Sequence, residues 1–152
     1  MKHVTRYAED TLNRMFSLPA TGGEPDWNAE LGDENRVEEF IAGYPLIRDD
    51  DELAFGLAWL IVASMDFRIW DRMSEIELDF YDIMENCGFD VAKAYTGEEL
   101  RLWEEVSAIL MERKGFFKAI IDYFSINHVE RTAFPSGLLF GHTFHWQLDD
   151  QF

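Results

Sequence analysis

Between residues 50 and 73 this chain carries a stretch that leaves few ways to fold. Leu53, Ala54, Phe55, Leu57, Ala58, Trp59, Leu60, Ile61, Val62, Ala63 and Met65 follow one another with almost no polar relief. A surface helix shows one apolar stripe, whereas a helix apolar on every side is one that its neighbours surround. A membrane span needs about 20 apolar residues, and Asp66 and Arg68 end this run before that length. The stretch therefore predicts the central helix of a soluble bundle.

The rest of the chain supplies elements to surround it. Val4, Tyr7, Ala8, Leu12, Met15 and Phe16 recur at helical spacing and predict an amphipathic first helix ending before Pro19. Prolines and glycines across residues 19–28 forbid regular structure there. Trp27, within them, is either a lid on the core or an exposed anchor for a partner. Asp33 suits the N-cap of a short helix with Val37, Phe40, Ile41 and Tyr44 inward, stopped by Gly43 and Pro45.

Ser74-Glu75-Ile76-Glu77 and Thr96-Gly97-Glu98-Glu99 both read as capping boxes, so each opens a further helix. The first would carry Ile76, Phe80, Ile83, Met84 and Cys87 on one face and stop at Gly88. The second would turn Leu100, Trp103, Val106, Ser107 and Leu110 inward, with Glu98, Arg101, Glu105 and Glu112 able to pair outside. Residues 116–124 would form another helix beyond Gly115. After Pro135-Ser136-Gly137 the period drops to two, with Leu138, Phe140, His142, Phe144, Trp146 and Leu148 alternating, which argues for a strand.

The expected fold is mainly α. It is one acidic domain over residues 1–152, a bundle of about six helices around the buried helix 50–73. Residues 126–152 would add a small C-terminal β or extended element, paired within the chain or across a dimer.

Composition removes several classes. With 47% hydrophobic and 15% aromatic residues the chain can build a core, so acidic disorder is excluded. The one cysteine, Cys87, rules out an intrachain disulfide and a Cys-rich zinc site, and fits a reducing compartment. The opening Met1-Lys2-His3-Val4-Thr5-Arg6 leads into an amphipathic stretch and not an apolar signal core. A cytoplasmic location is expected.

Charge is the anomaly. Thirty acids against 13 bases give −17, and residues 24–105, with 23 acids and 6 bases, carry all of that excess. Such a surface repels nucleic acid and anionic membrane and steers basic partners toward itself. Two segments concentrate the carboxylates. Asp49-Asp50-Asp51-Glu52 precedes the central helix, where acids cap free N–H groups and complement the helix dipole; four in a row exceeds that need. Glu75, Asp79, Asp82 and Glu85 line one face of the following helix, with Leu78 inside the stripe and Tyr81 at its edge. Like charges at that spacing repel, and no Lys or Arg is interleaved.

Catalytic chemistry has little support. His142-Thr143-Phe144-His145, with His128, has a spacing that zinc could use on a helix. On a strand the two imidazoles point to opposite faces and cannot share a metal. No nucleophile elbow or P-loop is present, and the E-x-x-H pairs of a di-iron bundle are absent. No enzyme activity, metal or cofactor is expected.

These features lead to the expectation of an acidic inhibitor that blocks a basic protein partner. A bacterial immunity protein neutralising a nuclease-type toxin is the most economical example, because a cleft that binds phosphates is basic. Glu75, Asp79, Asp82, Glu85 and Asp49, Asp50 and Asp51 would replace the phosphates, with Leu78, Tyr81 and Trp27 as apolar anchors. Two rivals remain: a phage-encoded DNA mimic that inhibits a nucleic-acid-binding protein, and a small metal protein or enzyme built on the C-terminal histidines. A mimic needs a long acidic ridge, since B-DNA carries one charge per ~1.7 Å of axis.

Overall fold

The computed structural model describes residues 3–75 and 97–112. The expected helix at residues 76–88, the helix at 116–124 and the tail at 126–152 lie outside them. The described residues are mainly α-helical, with no strand among them. The helices are α1 (Arg6–Met15), α2 (Trp27–Leu31), α3 (Val37–Ile47), α4 (Asp51–Glu75) and α5 (Gly97–Glu112). Two units divide the chain, Met1–Met65 and Asp66–Phe152, and the division falls within α4.

In the first unit α4 is the helix that the apolar run demands. Residues 53–65 are all buried, so no side of the helix over that length faces water. Phe55, Leu57, Leu60, Ile61 and Met65 are each at most 1% exposed, and full burial of such a side chain is worth roughly 1.5–3 kcal/mol. Ser64, also fully buried, accepts a hydrogen bond at 2.9 Å from the Asp33 N–H, which gives its hydroxyl a partner and holds the loop before α3.

Helix α1 lies against α4 at Gly56. A Cβ there would come within 3.0 Å of Leu12, 3.1 Å of Val4 and 3.3 Å of Ala8. Thr5 caps α1, and Ala8 and Leu12 are fully buried. Tyr7, which shares their helical spacing, is 51% exposed instead and donates its phenol hydrogen bond to Asp50 at 2.9 Å. The helix ends on Ser17 at φ 49. Leu18 N–H donates to the Asn13 carbonyl and Ser17 N–H to that of Arg14, a Schellman closure that glycine usually provides.

The segment after α1 departs from the expected loop at its end, because Trp27 and Asn28 open α2. Asp26 N–H donates to the Glu30 carboxylate at 3.2 Å, so a side chain of the helix satisfies the N–H at its start. Asp33 accepts from Asn35 N–H at 2.9 Å and caps a 3-10 turn, Glu34–Arg36, that leads into α3. Val37, Phe40, Gly43 and Tyr44 are the buried face of α3. Gly43 and Pro45 do not stop this helix as expected; it runs to Ile47. Gly43 is needed for packing: a Cβ would lie 2.5 Å from Phe16 Cζ, and Phe16 meets Phe40 edge-on at 5.1 Å. Pro45 costs an interior helix position about 3 kcal/mol against alanine.

The start of a new helix at Met73 or Ser74 is likewise not found, since α4 continues through Ser74 to Glu75. Neither glycine nor proline interrupts residues 57–75, so nothing local breaks the helix.

In the second unit α5 spans Gly97–Glu112, and Thr96, the expected capping residue, lies outside the described residues. Among the described side chains of α5, Leu102, Val106, Ile109 and Leu110 are buried. Leu102 and Ile109 were not on the expected inner face. Arg101 and Glu105 pair at 3.1 Å on the outside.

Candidate functional site

The carboxylates are the candidate chemistry, and the structure assigns many of the described ones to their own chain. Asp50 is the N-cap of α4: its Oδ1 accepts from the N–H groups of Glu52 and Leu53, both at 3.0 Å. Its Oδ2 takes the Tyr7 phenol. The Leu53 N–H bond, with the Tyr7 and Glu52 bonds behind it, holds the Asp50 carboxyl below its ordinary range against the opposing cost of burial. The hydrogen bond to Asp50 raises the Tyr7 phenol. Glu52 accepts from Thr5 Oγ1 at 2.7 Å. The starts of α1 and α4 are thus tied together by two acids of the Asp49–Glu52 run.

Elsewhere the pattern repeats. Arg6 lies 3.3 Å from Asp10 and 3.8 Å from Glu9. Burial still raises the Glu9 carboxyl, outweighing Arg6. Glu24 accepts from the Thr21 N–H, from Thr21 Oγ1 at 2.9 Å and from Gly22 N–H at 3.1 Å. Those donors, the Thr21 N–H first, bring its carboxyl down to about 2. Glu39 grips Arg36 through two nitrogens at 2.7 and 2.8 Å and is lowered by it. Arg36 in turn donates to the Phe16 carbonyl at 2.6 Å and sits 5.1 Å over the Phe40 ring.

The expected partner-binding residues fare differently. Trp27 is corrected: it is 3% exposed and donates Nε1–H to Asn13 Oδ1 at 2.8 Å, so it is a lid on the core and no surface anchor. Its flat ring completes the apolar cover while its one polar atom finds a partner. Asp50 is occupied by capping, while Asp49 and Asp51 are exposed beside it. Glu75 is the last described residue of α4. Leu78, Asp79, Tyr81, Asp82 and Glu85 lie outside the described residues, as do His128, His142 and His145. Among the described residues no three His, Cys, Asp or Glu side chains are grouped to hold a metal, and no helix is long and apolar enough to cross a membrane.

Sequence reasoning also passed over one surface. Leu46 is 79% exposed on α3. Taking Pro45 as a helix stop hid the fact that Ala42, Pro45 and Leu46 share a helical face. No family model, curated protein or solved structure matches the chain.

Proposed function

We propose that the chain is an acidic inhibitor of a basic protein, acting as a bacterial immunity protein against a nuclease-type toxin in the cytoplasm. The observation that carries this reading is the distribution of charge along the sequence. Residues 24–52 spend Glu24, Glu30, Asp33, Glu39, Asp50 and Glu52 on caps, turns and ion pairs. Residues 66–105 hold twelve acids against four bases, and within them Glu75, Asp79, Asp82 and Glu85 have no basic residue interleaved.

On this reading Glu75, Asp79, Asp82 and Glu85 take the places of substrate phosphates, and Leu78 and Tyr81 supply the desolvated centre that hot spots need. Asp49 and Asp51 extend the negative field, while Trp27 and Asp50 drop out of the contact set. The fold that presents them is a bundle of about six helices with a small C-terminal β or extended element.

The test is capture of partners on immobilised protein at low salt and again at high salt, followed by nuclease assays of what is retained. A basic nuclease that is held at low salt, released at high salt and inhibited stoichiometrically supports the reading. Retention of only nucleic-acid-binding proteins without nuclease activity would favour the DNA mimic, and a salt-insensitive partner would refute the electrostatic basis.

A further inference from the structure

We draw no further inference here: the strongest candidate, the half-exposed Tyr7 ring beside the Asp50 and Glu52 carboxylates where α1 and α4 begin, carries nothing, because those carboxylates already accept from Tyr7 and Thr5 within the chain and nothing in the structure shows what would cover the ring.

Discussion

Replacing Asp50 by alanine separates structural carboxylates from surplus ones. The change removes a side chain that accepts from Glu52 N–H and Leu53 N–H at 3.0 Å and from Tyr7 Oη at 2.9 Å. Loss of an N-cap costs about 1 kcal/mol, and loss of a partly exposed hydrogen bond to a charged group adds roughly 1 kcal/mol. The expected sum of about 2 kcal/mol lowers the melting temperature by about 4–8 °C in a chain of this size. Asp49→Ala, exposed and outside the cap, stays within about 0.5 kcal/mol of wild type.

Urea denaturation of both variants checks the difference, and a double-mutant cycle with Tyr7→Phe isolates the coupling between the two side chains. The pH dependence has a fixed sign. Because the folded carboxyl lies below its ordinary 3.8, its contribution is present above that pH and is lost as pH falls through the folded value. Asp50→Asn keeps an acceptor oxygen and loses less. Equal effects of Asp49→Ala and Asp50→Ala would refute the assignment of Asp50 to the α4 cap.

Three further outcomes follow from the packing. Gly43→Ala drives a methyl to 2.5 Å from Phe16 Cζ; the helix-propensity gain of about 1 kcal/mol is outweighed by overpacking, and denaturation shows a net loss of about 1–2 kcal/mol. Ser17→Gly relieves the left-handed residue at φ 49 and stabilises by about 0.5–1 kcal/mol in the same assay. Glu24, at about 2 in the folded chain against an ordinary 4.5, adds stability above 4.5 that is lost as pH falls toward 2. A carboxyl titration followed by NMR places its midpoint directly, and Glu24→Gln removes that part of the acid dependence.

The legible and illegible parts of this chain divide along physical lines. A run with no polar relief can be satisfied only by burial, so the surroundings of residues 53–65 follow from the sequence without reference to any neighbour. Helix ends were harder. Gly43 was kept for a close approach of Phe16 and not to end a helix, and the Ser74 pattern that resembles a capping box is compatible with a helix interior. Tyr7 follows the apolar spacing of α1 yet points its hydroxyl to Asp50, because an amphipathic ring can serve a polar partner at the surface. The Asp49–Glu52 run was readable as a helix start. That Asp50 is its capping member, and that Glu52 instead binds Thr5, depends on where α1 lies. Of the candidate site, the acidic stripe rests on sequence alone, whereas the α3 face emerged only from exposure.

Reversing Glu75, Asp79 and Asp82 to lysine decides whether the surplus negative charge serves a basic partner. The measurement is the dissociation constant for the captured basic partner, with circular dichroism of the variant alongside. The expected result is loss of binding with an unchanged helical spectrum. An unaltered affinity in a folded triple variant would contradict it and remove this surface from any functional role.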